Sequence, residues 1–252
     1  MYPAFKDMPH PPVYTTVGDL SPTRRLGQFT WVALMCLLAW DFAGLDSAVM
    51  HQIAPGGIFV LRDNWWLENI LHTQAKQLAL VIYVGLWIML WWPRGLFRQL
   101  TRLQRTEIMT GITLSLITIS TLKRFSLTSC PWDLQDFGGS AVYVSHWQWG
   151  MPDGGSGHCF PGGHVSSALA FIGLALPWLG SSQSAQRRIG QRMLIGVLLA
   201  GVVLGLTQTL RGAHYPSHTF WTGFICWMVA LANHIAFGWW ARRQSSASTS
   251  GN

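Results

Sequence analysis

Six long apolar runs dominate this chain and restrict what it can fold into. They cover residues 29–45, 77–92, 107–122, 164–179, 193–210 and 216–240. A membrane-spanning helix needs about 20 mostly apolar residues, and a barrel strand only about 10. In lipid, only helices and closed barrels pair all their backbone polar groups. The sequence therefore predicts one all-α polytopic membrane domain with six transmembrane helices.

The composition supports lipid as the solvent of this domain. Half of the residues are hydrophobic and only 11% are charged, whereas soluble domains average about 25% charged residues. One carboxylate, Asp41, nevertheless lies inside the first run. Such a group normally faces protein or a cavity, so we expect it to pair inside the bundle.

Arginines set the predicted orientation, because cytoplasmic loops of membrane proteins are enriched in positive charge. With six spans, four arginine groups fall on one side: Arg24 and Arg25; Arg94, Arg98, Arg102 and Arg105; Arg187, Arg188 and Arg192; Arg242 and Arg243. Both termini are therefore predicted inside a bacterial inner membrane, with the other face periplasmic. These arginines account for much of the net charge of +7, so the bilayer, and not nucleic acid, is the predicted partner.

Composition divides the chain into three parts. Residues 1–26 are Pro-rich and are predicted to be a cytoplasmic segment, 27–243 form the membrane domain, and 244–252 are a Ser-rich cytoplasmic tail. Outer loops are expected at about 46–73 and 126–163, and the longer one is predicted to cover a site.

Three polar clusters end apolar runs on the predicted periplasmic side. The first is Lys123-Arg124. Cations at a helix end usually extend toward lipid headgroups. Their outer position runs against the positive-inside bias, however, and therefore indicates a bound anion.

The second cluster is Pro161-Gly162-Gly163-His164. Glycines let the backbone approach a ligand closely, and a helix N-terminus offers unpaired N–H groups to phosphate. His164 would donate a proton there. An ordinary glycine loop with an interfacial histidine is the alternative.

The third cluster contains Arg211, His214 and His218 around Pro216, which suits the first turn of a helix. An aromatic-belt turn with incidental histidines is one alternative. A two-histidine metal site is another, but no carboxylate or third histidine lies nearby in sequence. No metal is predicted.

Two cysteines, Cys130 and Cys159, lie in the long outer loop beside the first two clusters. An oxidising periplasm favours a disulfide between them over free thiols. Such a bond would tie the first cluster to the second.

Together these clusters resemble the signature of the type-2 phosphatidic acid phosphatase superfamily, which is K-x6-R-P, P-S-G-H and S-R-x5-H-x3-D. Lys123 and Cys130-Pro131 resemble the first motif with Cys in place of Arg. Residues 161–164 resemble the second with Gly in place of Ser, and residues 208–218 the third, with Gln208 in place of Arg and His218 in place of Asp.

The resemblance implies a phosphohistidine mechanism without metal or cofactor. His214 would be the nucleophile and His164 the acid that protonates the leaving group. Lys123 and the N–H groups of Gly162 and Gly163 would hold the phosphoryl oxygens.

The departures assign further roles. Arg124 and Arg211 would replace the two missing arginines. His218 would orient His214, which it can do only as a neutral acceptor.

The substrate implied by the resemblance is a membrane lipid with a phosphate or pyrophosphate headgroup, first of all undecaprenyl pyrophosphate. Lipid A and phosphatidylglycerophosphate are alternatives, for a phosphatase or a phosphotransferase. A catalytically inactive lipid-binding member is a different class of function, and a transporter is a third.

Overall fold

The computed structural model describes residues 21–249, with side chains from 26 to 244. Eight α-helices follow one another in this part of the chain: α1 Ser21–Phe42, α2 Leu45–Ile53, α3 Ala75–Trp91, α4 Arg102–Phe125, α5 Ser166–Leu169, α6 Leu176–Leu179, α7 Ser184–Leu210 and α8 Pro216–Thr249. A π-helix, Trp66–Gln74, leads directly into α3, and a 3-10 helix, Ala170–Leu174, joins α5 to α6. Within 21–249 the only strand-like pairing is a parallel bridge between Leu134 and Ala141. The fold is therefore all-α, as predicted.

Each predicted apolar run lies mostly in helix, but not every run forms a helix that qualifies as a span. Three helical stretches are long and apolar enough to cross a membrane: Trp66–Gln99, Ser184–Leu210 and Pro216–Gln244. Helices α1 and α2 add a fourth if the pair, bent by 65°, is one span. The stretch Ser166–Leu179 is too short, and α4 does not pass the same test. The number of six spans is thus not confirmed, and the orientation stays a prediction.

Large apolar side chains cover the outer surfaces of the long helices. Leu80 and Val81 of α3 are 62% and 67% exposed, and Leu199 of α7 is 60% exposed. Soluble monomers seldom expose large contiguous apolar surfaces. The chain is therefore a membrane-embedded protein.

The stretch Ser166–Leu179 is the centre of the bundle, packed against α4, α7 and α8. Small residues allow this close packing, as is usual between helices in membranes. A Cβ on Gly190 of α7 would lie 2.8 Å from the backbone nitrogen of Leu179, and one on Gly201 would lie 2.2 Å from Leu169 Cδ2. Larger residues at these positions would push α7 away from the core.

The long outer loop, 126–163, is held together by one buried carboxylate. Asp153 accepts hydrogen bonds from the backbone and hydroxyl of Ser129, at 2.6 and 2.7 Å, and from the N–H of Gly155 at 3.0 Å. The loop contacts the α7–α8 turn as well, since the N–H of Trp132 donates to the carbonyl of Gly212 at 3.0 Å.

The carboxylate of Asp41 attaches this loop to the helices. It accepts from His146 Nε2 at 3.2 Å, from Trp147 Nε1 at 3.1 Å and from Trp221 Nε1 of α8 at 2.8 Å. His146 also stacks on Phe160, with ring centroids 4.4 Å apart. The expectation that Asp41 pairs inside the protein is therefore met by one histidine and two indoles.

The opposite end of the bundle holds a second polar group of contacts. His234 Nδ1 lies 2.6 Å from Glu107 Oε1, and Asn233 donates to the carbonyl of Glu107 at 2.9 Å. Thr110 donates to Asn233 Oδ1 at 3.0 Å. These contacts join α4 to α8 far from the predicted site.

Helix ends differ from the predicted domain bounds. Helix α1 begins at Ser21, inside the predicted segment 1–26, and α8 continues to Thr249, inside the predicted tail. Residues 1–20 and 250–252 lie outside the described part of the chain.

Candidate active site

Lys123 and Gly163 bring the first two clusters together. Lys123 lies in the last turn of α4, and its side chain crosses the glycine so closely that a Cβ on Gly163 would lie 2.8 Å from Lys123 Cδ. Contacting carbon atoms normally lie about 3.5–4.0 Å apart. The glycine therefore provides the space through which the lysine reaches the site.

The turn 161–164 is attached to the first turns of α8. The N–H of Gly162 donates to the carbonyl of His218 at 3.3 Å, and Thr222 Oγ1 donates to the carbonyl of Gly162 at 3.2 Å. The Gly162 N–H, expected to bind a phosphoryl oxygen, is thus engaged by α8. No described residue accepts from the N–H of Gly163.

His164 is oriented by the π-helix. Its Nε2–H donates to the carbonyl of Leu71 at 2.9 Å, and its ring lies 4.3 Å from that of His72. The other ring nitrogen, Nδ1, is buried and has no partner among the described residues. Nδ1 is therefore the atom left to exchange a proton with a ligand.

Burial, together with the neighbouring His72, lowers the pKa of His164 to about 4. At neutral pH the free protein therefore holds His164 uncharged. A bound phosphate anion favours the charged imidazolium and raises this pKa.

His214 lies in the turn between α7 and α8 and is only 6% exposed. Burial lowers the pKa of His214 to about 3, and the charge of Lys123 acts in the same direction. The imidazole is consequently neutral and keeps a lone pair for attack.

Two side chains face Nδ1 of His214. Cys159 Sγ lies 3.2 Å away, and His218 Nδ1 lies 3.5 Å away. His218 is buried, and its Nε2 has no partner among the described residues. The predicted orienting residue thus lies next to the predicted nucleophile, but a sulfur atom is closer.

Cys130 and Cys159 are joined in a disulfide, with their Cα atoms 5.2 Å apart. Together with His214 their ligand atoms lie within 4.8 Å of one another. Cysteine binds metal as a thiolate, so sulfurs bonded to each other do not make these three residues a metal site.

The two arginines differ in their surroundings. Arg211 is buried, donates from Nε to the carbonyl of Arg62 at 2.9 Å, and lies 3.5 Å from Glu68 Oε2. Arg124 is exposed on α4 beside Lys123. The structure therefore brings Lys123, His164, His214 and His218 together, holds Arg211 in an ion pair, and leaves Arg124 at the surface.

Gln208 occupies an arginine position of the motif, and no role was predicted for it. It is 3% exposed, its carbonyl accepts from the N–H of Ala213 and of His214, and its Nε2 is buried without a partner among the described residues. Buried polar atoms are seldom unpaired.

Asp46 is a second missed residue. Its carboxylate accepts from Trp40 Nε1 at 2.8 Å, and from the backbone N–H at 3.0 Å and the hydroxyl of Ser217. Ser217 is in the first turn of α8, where a carboxylate also stabilises the positive end of the helix dipole. Asp46 therefore fixes the start of the helix that carries His218.

Comparison with known proteins assigns the family. The model of the PAP2 superfamily matches residues 106–242, more than half of the chain, and this range contains all three polar clusters. No curated protein and no solved structure matches the chain. PAP2 members are phosphatases, and membership implies hydrolysis of phosphate esters. The chain, with its three clusters gathered at one end of a membrane-embedded helical bundle, belongs to the PAP2 superfamily.

Proposed function

We propose that this protein is a membrane lipid phosphatase that removes phosphate from a lipid phosphate or pyrophosphate through a phosphohistidine on His214. Undecaprenyl pyrophosphate is the first candidate substrate, and the periplasmic face of a bacterial inner membrane is the proposed location. The arginine distribution supports that orientation.

One observation carries the proposal: a cation, an acid and a nucleophile from three separate parts of the chain converge. Lys123 crosses Gly163, the residue before His164, and the neighbouring Gly162 is bonded to α8 one turn beyond His214. Catalysis of phosphoryl transfer is mainly positioning and charge stabilisation. This arrangement can supply both.

The unpaired atoms fit the same ligand. His164 Nδ1 and Gln208 Nε2 are buried polar atoms without described partners, and an unsatisfied buried donor or acceptor costs about 1–3 kcal/mol. A phosphoryl group accepts hydrogen bonds from an amide and from a protonated imidazole. We therefore assign Gln208 to phosphate binding in place of the motif arginine.

The reaction follows from these assignments. The substrate anion raises the pKa of His164, which takes up a proton on Nδ1 as substrate binds. His214 Nε2 attacks phosphorus, the bond to the leaving oxygen breaks, and His164 gives that oxygen its proton. Water then attacks the phosphohistidine, giving its proton to His164 and releasing phosphate and neutral His214.

The test is phosphate release by the purified protein in detergent, with chelator present. Undecaprenyl pyrophosphate, phosphatidylglycerophosphate and lipid A are offered separately, beside His214→Ala. His51→Asn is the matched control, because His51 is exposed and, among the described residues, its side chain hydrogen-bonds only to Ser47 and makes one ring contact, with Phe137. Release by the wild type and His51→Asn, but not by His214→Ala, supports the proposal.

A second assay isolates the acid. His164→Asn should lose most activity on an alkyl phosphate, whose leaving oxygen needs a proton, and far less on a nitrophenyl phosphate, whose leaving group does not. Equal losses on both substrates would assign His164 to binding. No release from any lipid would favour a phosphotransferase that needs an acceptor lipid, or an inactive lipid-binding protein.

A further inference from the structure

We infer that Cys159, as one half of its disulfide, is a positioning residue that holds the proton of His214 on Nδ1. This inference rests on the proposed function, because it concerns which nitrogen of the nucleophile is free. Cys159 is fully buried, and its Sγ lies 3.2 Å from His214 Nδ1.

A neutral imidazole carries one N–H and one lone pair. Attack by Nε2 requires the lone pair on Nε2 and therefore the proton on Nδ1. Unless the protein fixes the proton on Nδ1, the His214 ring is partly in the unreactive tautomer with the proton on Nε2.

His218 alone does not determine which ring nitrogen of His214 carries the proton. The two Nδ1 atoms lie 3.5 Å apart, and either neutral ring can donate to the other. A carboxylate would accept only, and this chain has His218 where the family motif has aspartate.

The disulfide sulfur does determine the position of the His214 proton. It carries no hydrogen, so it accepts and cannot donate, and it is the nearer of the two neighbours. Both contacts are favourable only when His214 Nδ1 bears the proton. Two departures from the motif, Cys130 and His218, are thereby linked: the disulfide that Cys130 completes supplies the acceptor that His218 does not guarantee.

Reduction would reverse this preference. A dithiol reductant gives two electrons and two protons to the disulfide, leaving a thiol on Cys130 and on Cys159 and a disulfide on the reductant. The Cys159 thiol can then donate its hydrogen to His214 Nδ1, which moves the imidazole proton to Nε2. It can also transfer that proton fully and leave a thiolate beside an imidazolium. Neither form has a nucleophilic lone pair on Nε2.

The experiment separates this role from simple crosslinking. In a background with Cys36→Ala and Cys226→Ala, Cys130→Ser leaves a thiol against His214, whereas Cys130→Ser with Cys159→Ala leaves neither a crosslink nor a thiol. We expect the variant that keeps the thiol to have the lower kcat, by a factor between about 10 and about 10⁴. The upper limit is the loss of kcat that the wrong histidine tautomer causes in a serine protease. Equal kcat values would show that the disulfide acts only as a crosslink and would overturn the inference.

Chemical rescue gives a second readout. Methyl methanethiosulfonate converts the thiolate of Cys159 to a mixed methyl disulfide and releases methanesulfinate, which restores an acceptor-only sulfur without the crosslink. Activity of Cys130→Ser should rise to at least that of the double variant once mass spectrometry shows the adduct. An adduct without recovery contradicts the inference.

A spectroscopic measurement distinguishes failure of this inference from failure of the proposed function. Ring ¹⁵N shifts of histidine-labelled protein separate protonated from bare nitrogens, and His214→Gln identifies the signals. The oxidised protein should show the His214 proton on Nδ1 and a bare Nε2, whereas the reduced protein should show a proton on Nε2. A proton on His214 Nε2 in the oxidised protein would refute this inference, whatever the activity. An inactive oxidised protein with the proton on Nδ1 would refute only the proposed phosphatase function.

Discussion

Replacing Gly163 by alanine tests how Lys123 is positioned. The new Cβ would lie 2.8 Å from Lys123 Cδ and 3.2 Å from Cε, whereas contacting carbons need about 3.5–4.0 Å. The lysine chain therefore has to move by about 1 Å. A misplacement of that size can cost about 100-fold in rate. Losing a charged hydrogen bond, at about 1.5–3 kcal/mol, corresponds to about 10- to 150-fold.

The activity loss should occur with little loss of stability, because a flexible side chain can move at low cost. We expect kcat/KM to fall by one to two orders of magnitude and the unfolding temperature in detergent to change little. Gly196→Ala is the matched control, since a Cβ there meets nothing within 4 Å; it should keep full activity and gain about 0.5–1 kcal/mol of helix stability.

A double-mutant cycle gives the decisive comparison. If Gly163→Ala acts by displacing the lysine, it should add almost nothing to Lys123→Ala. Additive losses of kcat/KM in the double variant, or a normal kcat/KM in Gly163→Ala, would refute the assignment of Lys123 to the phosphoryl group.

Three further outcomes follow from the contacts. The unfolded protein binds a proton on His214 below about pH 6.5, whereas the folded protein does so only below about pH 3. The free energy of unfolding should therefore fall as the pH decreases from 6.5, by up to about 1.4 kcal/mol per pH unit. His214→Gln should reduce this slope in thermal melts. Asp46→Ala leaves an indole, a backbone N–H and the Ser217 hydroxyl without their acceptor, so unfolding should become easier by about 3 kcal/mol or more; a loss below 1 kcal/mol would contradict the capping role. Glu107→Ala removes the acceptor of His234 and should destabilise the protein by about 1.5–3 kcal/mol, with kcat unchanged in phosphate-release assays because the pair lies at the other end of the bundle.

Local patterns predicted the helices, since apolar runs and the lipid solvent act on short stretches of sequence. The α7–α8 turn and the start of α8 at Pro216 also follow from local rules. The number of six spans is not confirmed, and α4 combines apolar residues with buried polar ones such as Gln104 and Glu107. Its partners on α8 and in the centre of the bundle, not lipid alone, surround that helix.

The pairings between distant residues could not be predicted. His164 is bonded to Leu71, 93 positions earlier, and Asp46 to Ser217, 171 positions later. Periodicity carries no information about such contacts, which depend on how helices pack. The stretch containing Leu71 falls in the outer loop predicted at about 46–73, yet it forms a π-helix that orients the candidate acid.

The attachment of the outer loop to Asp41 has a consequence for the route by which substrates arrive. His146 and Trp147 of the loop share one carboxylate oxygen with Trp221 of α8, and His146 also stacks on Phe160 next to the turn that carries His164. If this loop covers the site, as the sequence predicts, a dissolved phosphate ester approaching from water has to detach it. A headgroup fixed to a tail already in the bilayer can travel along the membrane plane and enter sideways between helices. We therefore expect discrimination between free and lipid-borne phosphates to arise partly from the direction of entry, before any contact with the reacting groups.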